Sequence, residues 1–181
     1  MAYKVKQASL PEVLIINSPI YEDERGYFFE SFNKKDFSSA INLNIDFVQD
    51  NCSYSMKGVL RGLHFQQPRP QGKLIRVISG AIFDVVVDIR KDSDNFGKWF
   101  GIELSSNNNT QLWIPEGFAH GFQVISNDAF VSYKVTDYWD PQYEQAIAWD
   151  DPALNIQWPL QGNVLINEKD SSAKKLNEIK I

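Results

Sequence analysis

The sequence predicts an all-β fold, a double-sheet jelly roll, on three observations. From Val59 onward, short runs of β-branched and aromatic residues recur. Gly, Asn or Pro punctuates those runs, and helix-compatible stretches are few. In chain order the predicted strands are residues 13–16, 26–32, 59–66, 73–79, 81–89, 100–104, 111–114, 121–124 and 130–138. The first is a plain aliphatic run, and the second is dense in aromatics. The run 81–89 is the most apolar and carries Asp84 and Asp88 inside it. Small polar breaks at Ser79-Gly80, at 105–109 and at Asn127-Asp128 separate neighbouring strands as turns would. So many strands imply a barrel or sandwich, and the cupin-type double-sheet jelly roll is the architecture expected. Two short helices, at 34–41 and in the tail 171–181, are expected at the periphery.

The bulk composition narrows the classes of function. A chain of 181 residues, 43% of them hydrophobic, suits a single cupin-like domain over 1–181, because one core can be filled at that size. Cys52 is the only cysteine, so no disulfide forms within the chain and nothing suggests an oxidising compartment. No apolar run approaches the roughly 18 residues of a membrane span. Pro11 and Glu12 interrupt the start where a signal peptide would be apolar. A cytoplasmic location away from membranes is therefore expected. The formal net charge of -5 argues against a nucleic-acid partner, which calls for clustered basic residues. Isolated arginines in an acidic body remain compatible with a small anionic metabolite.

The chain has two histidines, His64 in Gly62-Leu63-His64-Phe65-Gln66 and His120 in Phe118-Ala119-His120-Gly121-Phe122. Each alone reads more readily as a structural hydrogen-bonding residue; two in one barrel raise the case for chemistry. Metal ligation is the second reading, since cupin-like barrels often bind metals through closely spaced histidines and a carboxylate. His64 has no histidine two residues away and Cys52 is the only thiol, so no metal is expected. Proton transfer is then the chemistry most open to a histidine pocket. Asp170, Asp84 and Asp88 are candidate orienting carboxylates, although spacing alone makes Asp170 a solvated tail residue. Alternation along 130–138 places Tyr133 with Val131 and Val135, its hydroxyl aimed inward as a core tyrosine or an acid. Lys73 opens a strand, where it can snorkel outward or point inward. Arg61 and His64 fall on opposite faces of a regular strand unless Gly62 marks a bulge.

The run Gln49-Asp50-Asn51, followed by Gly58-Val59-Leu60-Arg61-Gly62-Leu63-His64-Phe65-Gln66, resembles the dTDP-4-dehydrorhamnose 3,5-epimerase family. Asp23-Glu24-Arg25-Gly26-Tyr27-Phe28-Phe29-Glu30 precedes it. Gln71-Gly72-Lys73-Leu74-Ile75-Arg76-Val77, Ile114-Pro115-Glu116-Gly117-Phe118-Ala119-His120-Gly121-Phe122, Tyr133-Lys134 and Lys169-Asp170 follow in order. Ordered matches over more than half of the chain carry weight that no single segment would.

The resemblance implies a cofactor-free cupin barrel, usually a homodimer. Its substrate would be dTDP-4-dehydro-6-deoxy-D-glucose, a dTDP-linked 4-keto-6-deoxysugar, and its product dTDP-4-dehydro-L-rhamnose for surface polysaccharide. It also implies His64 as base with Asp170 as its partner, Lys73 at the enolate oxygen, and Tyr133 as proton donor on the opposite face. His120 would contact the sugar. Arg25, Glu30, Gln49, Asp50, Asn51, Arg61, Glu144 and Lys169 match nucleotide-sugar-binding positions, and Phe28, Tyr138 or Trp139 could stack on the base. Tyr138-Trp139 stands where many members have two tyrosines, which bears on the balance between C3 and C5. The competing readings are a single-centre epimerase, a metal-dependent cupin enzyme and a non-catalytic sugar-nucleotide binding module.

Overall fold

The computed structural model describes residues 3–162 and 164–179. Its eleven strands are β1 (Lys4–Gln7), β2 (Leu14–Asn17), β3 (Tyr21–Asp23), β4 (Gly26–Phe28), β5 (Gln49–Met56), β6 (Leu60–Gln66), β7 (Lys73–Asp88), β8 (Trp99–Ser105), β9 (Thr110–Ile114), β10 (Phe118–Val135) and β11 (Glu144–Ala146). Helix α1 spans Lys34–Ile41 and α2 spans Glu168–Ser171, and a 3-10 turn covers Leu176–Glu178.

Two long antiparallel strands, β7 and β10, organise the molecule because each passes through both layers of the jelly roll. Along Lys73–Arg76, β7 pairs with β9, and along 81–87 it pairs with β8. The start of β10 pairs with β6, and its end pairs with β5. One layer is therefore β1, β2, β9, the first half of β7, the second half of β10 and β5. The other is β8, the second half of β7, the first half of β10, β6 and β11.

Sequence reading divided both long strands at turns, whereas the chain continues through these points. Ser79-Gly80 and Asn127-Asp128 are the corner at which the strands cross between layers, marked by a register shift between Val124 and Ala129. Gly80 sits at φ +80°, and a Cβ there would lie 2.0 Å from the Asp128 carbonyl oxygen. A left-handed backbone and a blocked Cβ position both demand glycine. Gly80→Ala is expected to cost at least about 3 kcal/mol, read as a lower urea midpoint at unchanged slope.

Three apolar clusters show why 81–89 is nearly all hydrophobic. Ile82 and Val86 face the space between the layers with Ile75, Leu104, Phe122 and Val131. Val85 and Val87 face outward, under Ile147, Leu154, Trp158 and Leu176 of the C-terminal segment. A strand covered on both faces loses the apolar and polar alternation of a half-exposed one. On the other layer, Phe37 and Ile41 of α1 cover Ile16, Leu74 and Trp113. Helix α1 coincides with its sequence prediction; Asn33 caps its N-terminus and Asn42 ends it in the left-handed conformation.

Other expectations need correction. The strand predicted over 26–32 ends at Phe28. The helix expected over 171–181 is instead the short α2 with a 3-10 turn, and Lys180 and Ile181 lie outside the described residues. Asp151 pulls that tail inward, accepting from the backbone N–H of Leu176 at 2.7 Å. Strand β5 was missed altogether. Its residues, Gln-Asp-Asn-Cys-Ser-Tyr-Ser-Met, border solvent on one face and a polar cavity on part of the other, so no apolar period announces them.

Candidate active site

The site is built around an irregularity in β6. On β10, Gly121 separates His120, opposite His64, from Phe122, opposite Arg61, so β6 fits two residues, Gly62 and Leu63, against one. This is a β-bulge with Gly62 at φ +110°, and a Cβ on Gly62 would lie 2.6 Å from the Gly121 Cα. The bulge resolves the face conflict between Arg61 and His64. It also frees the Gly62 N–H to donate to Asp170 Oδ2 at 3.0 Å.

Asp170 is not a solvated tail residue, since its side chain is only 1% exposed. Asn167 accepts from the backbone N–H of Asp170 at 2.7 Å, which fixes the turn of α2 under β6. The other carboxylate oxygen, Oδ1, lies 2.7 Å from His64 Nε2. Burial pushes the Asp170 carboxyl up, but hydrogen bonds from His64 and Gly62 outweigh it and hold it below the usual value. An ionised carboxylate only accepts, so Nε2 carries the hydrogen and the lone pair of the neutral ring is on Nδ1. The arrangement is an imidazole whose orientation and tautomer are set by a buried carboxylate.

His64 opens onto a cavity of about 260 Å³ lined also by Gln49, Asn51, Phe65, Gln66, Gln71, Lys73, Tyr133, Trp139 and Glu144. A larger cavity of about 410 Å³ lies beside it, around Pro68, Pro70 and Phe118. The smaller one is lined by the titratable side chains of His64, Lys73, Tyr133 and Glu144. Lys73, at the start of β7, points inward and is 8% exposed. Burial lowers its ammonium to about 8, against the opposing pull of Glu144 and Asp84. Asp84 is fully buried; desolvation raises its carboxyl, which pairs at 2.8 Å with His120 Nε2. A second histidine and carboxylate thus stand behind Lys73, and His120 itself lies outside the cavity lining. Tyr133 is directed inward from β10 with Val131 and Val135, and burial raises its phenol despite the nearby Arg61 charge.

The remaining candidates divide by strand face. Gln49 and Asn51 face the cavity, while Asp50 alternates outward to pair with Lys134 at 2.9 Å. Glu144 lines the cavity and binds the exposed Lys169 at 2.5 Å. Its carboxyl is raised by burial but brought below normal overall by Lys169, the Trp139 indole and His64. Arg61 lies outside the lining, with Nε donating to Ser55 at 3.0 Å. Arg25 is 85% exposed in the β3–β4 hairpin and paired with Asp23, and the half-buried Glu30 follows that hairpin. Neither belongs to this chain's cavity lining. Gln66 and Gln71, to which the sequence assigns no site role, also line it. No three His, Cys, Asp or Glu side chains are grouped to hold a metal among the described residues.

Acid should weaken this architecture in a definite window. A carboxylate held below its unfolded value contributes stability that is complete above about pH 4 and is lost as pH falls through the lower folded value. Both Asp170 and Glu144 have that sign. Urea midpoints of the wild type should drop steeply between about pH 4 and pH 2, and Asp170→Asn should flatten that slope.

Comparison with known proteins bears on the family and the fold. The profile described as dTDP-4-dehydrorhamnose 3,5-epimerase matches residues 7–178. The protein of that name from Methanothermobacter thermautotrophicus is 50% identical over 178 residues, covering 97% of this chain and 96% of its own. A crystal structure of dTDP-6-deoxy-D-glucose-3,5-epimerase from Legionella pneumophila Philadelphia 1, in complex with dTDP-4-keto-L-rhamnose, superimposes with a TM-score of 0.96 at 49% identity, covering 98% of this chain and 95% of that one. A 3'-monoepimerase from Streptomyces bikiniensis, in complex with dTDP-quinovose, gives a TM-score of 0.89 at 30% identity, covering 94% of this chain and 87% of that one. No helix among the described residues is long and apolar enough to cross a membrane. With a profile match over nearly its whole length and half its residues shared with a full-length relative, the chain belongs to the dTDP-4-dehydrorhamnose 3,5-epimerase family.

Proposed function

We propose that the chain inverts C3 and C5 of dTDP-4-dehydro-6-deoxy-D-glucose to give dTDP-4-dehydro-L-rhamnose, in cytoplasmic L-rhamnose biosynthesis. The observation that carries this mechanism is the convergence of the His64–Asp170 pair, the Lys73 ammonium and the Tyr133 phenol on one cavity. Both stereocentres flank the C4 ketone, so each C–H is acidified by the same carbonyl. His64 Nδ1 takes the proton, and the electron pair moves into the C4 carbonyl to form an enolate. Lys73 steadies the enolate oxygen by charge and hydrogen bonding. Tyr133 returns a proton to the opposite face of the carbon, inverting it. The imidazolium then loses its proton and the phenolate regains one, which resets the pair for the second centre. No cofactor is required by these steps.

Arg61, Glu144, Lys169, Gln49 and Asn51 are assigned to the nucleotide sugar. Arginine suits diphosphate because its planar fork matches phosphate oxygens and remains charged. We further infer a homodimer. The β3–β4 hairpin exposes Tyr21, Tyr27 and Phe28, each more than half accessible, and carries Arg25 away from its own cavity. In the dimer the hairpin would bring Arg25, Glu30 and Phe28 to the neighbouring subunit's nucleotide. Asp50 would serve there through its contact with Lys134.

One observation favours a second reading, inversion at a single centre. Trp139 lines the cavity where many family members carry a tyrosine, and an indole cannot serve as a phenolic proton donor. Proton NMR of the product formed from dTDP-4-dehydro-6-deoxy-D-glucose decides between them. Couplings of the L-configured ring support inversion at both centres, and those of a ring changed at one centre support the alternative. Unchanged substrate would contradict both.

A further inference from the structure

Trp139 is held in the cavity wall by an unusual set of contacts. It belongs to the segment 137–140 that follows β10, and both Tyr138 and Trp139 are more than half exposed. An exposed loop ordinarily satisfies its backbone with water. Here four consecutive residues bond instead to three glutamine side chains. Gln71 Nε2 donates to the Asp137 carbonyl at 2.7 Å, and Gln66 Nε2 donates to the Tyr138 carbonyl at 3.1 Å. Gln49 Oε1 accepts from the Trp139 N–H at 3.0 Å, and Gln66 Oε1 accepts from the Asp140 N–H at 2.9 Å. The glutamines come from β5, from β6 and from the stretch before β7, and all three line the same cavity.

Gln66 is central to the set. It is 4% exposed, and its Nε2 also donates to the Arg69 carbonyl at 2.8 Å, so both ends of its amide are committed to backbone. Trp139 is held at its other end too, where its indole donates toward Glu144, itself tied to Lys169. An amide so engaged has no remaining donor for a ligand.

We propose that Gln66 is a positioning residue that fixes the Trp139 segment as a rigid wall of the site, and that this wall governs how readily the second centre is presented to His64 after the first inversion. The proposal rests on the epimerase reading and goes beyond it in naming the determinant of second-centre processing. Between the two inversions the sugar must turn within one cavity, so that a different C–H meets the same His64. A fixed wall favours one rebinding pose, and a mobile wall leaves the half-inverted sugar free to leave.

The test measures deuterium incorporation from D₂O at both centres for wild type, Gln66→Met, Trp139→Ala and the double variant. Wild-type exchange at both centres is the entry condition; its absence would overturn the epimerase reading rather than this one. Gln66→Met removes three hydrogen bonds at nearly constant volume. It is expected to lower the ratio of second-centre to first-centre exchange about tenfold. Because Gln66 acts through the wall, the double variant should match Trp139→Ala alone. Equal loss at both centres, an unchanged ratio, or multiplicative effects in the double variant would overturn the proposal. Should Gln66→Met fail to fold, Gln71→Met decides, since it removes a single bond to the same segment. A ratio lowered about threefold supports the clamp, and an unaltered ratio contradicts it.

Discussion

His64→Asn is expected to lower kcat on the order of 10³- to 10⁴-fold while leaving a folded protein. The argument begins at Gly62. The bulge turns His64 onto the inner face and frees the Gly62 N–H for Asp170, and Asp170 fixes which imidazole nitrogen holds the lone pair. Asparagine keeps an N–H donor for that buried carboxylate but offers no basic nitrogen. The stability change should therefore stay near the value of one hydrogen bond, about 1 kcal/mol, and substrate KM should move little. Steady-state kinetics with urea unfolding separates these effects. A kcat within tenfold of wild type would remove His64 from the proton transfer.

Lys73→Met is expected to act on activity and stability in opposite directions. Losing the donor to the enolate oxygen should lower kcat about 10²- to 10³-fold. The folded state, however, bears the cost of desolvating an ammonium whose pKa falls to about 8 on burial. Below pH 8 the amine is charged in both folded and unfolded chains, and that cost is fully present. As pH rises from 8 towards the unfolded value near 10.5, the folded protein releases its proton first and stability increases. Methionine should therefore raise stability at pH 7 by about 1 to 3 kcal/mol, the lower end reflecting the counter-charge that buried Asp84 loses. Wild-type activity should also decline above about pH 8 as the ammonium deprotonates, and its unfolding midpoint should climb over the same interval. A destabilised Lys73→Met protein would contradict the burial argument.

The sequence was most legible where one physical cause dominated. Strand composition announced the jelly roll, and helix α1 was legible as a short helix-compatible stretch at 34–41, though not in its caps. The corners at Gly80 and Asn127 misled because a strand crossing between layers needs the same small and polar residues as a turn. Strand β5 left no apolar signature because its inward face meets a polar cavity at Gln49 and Asn51. At the site, the glycine in Arg61-Gly62-Leu63-His64 did signal the bulge. Asp170 could not be separated from a solvated tail residue by spacing, since its burial depends on α2 folding back under β6 across 106 residues of chain. The glutamines around Trp139 were equally hidden, because an amide that binds backbone carries no sequence mark distinguishing it from a solvated one.

The most direct test of the separate base and acid is proton NMR in D₂O with dTDP-4-dehydro-6-deoxy-D-glucose, comparing wild type, His64→Asn and Tyr133→Phe. Wild type is expected to incorporate deuterium at C3 and C5 with inversion at each. His64→Asn should incorporate almost none at either centre. Tyr133→Phe should still exchange deuterium on the face served by His64 while inversion falls at least about tenfold. Exchange persisting in His64→Asn, or exchange and inversion falling together in Tyr133→Phe, would contradict a His64 base and a Tyr133 acid acting from opposite faces of one enolate.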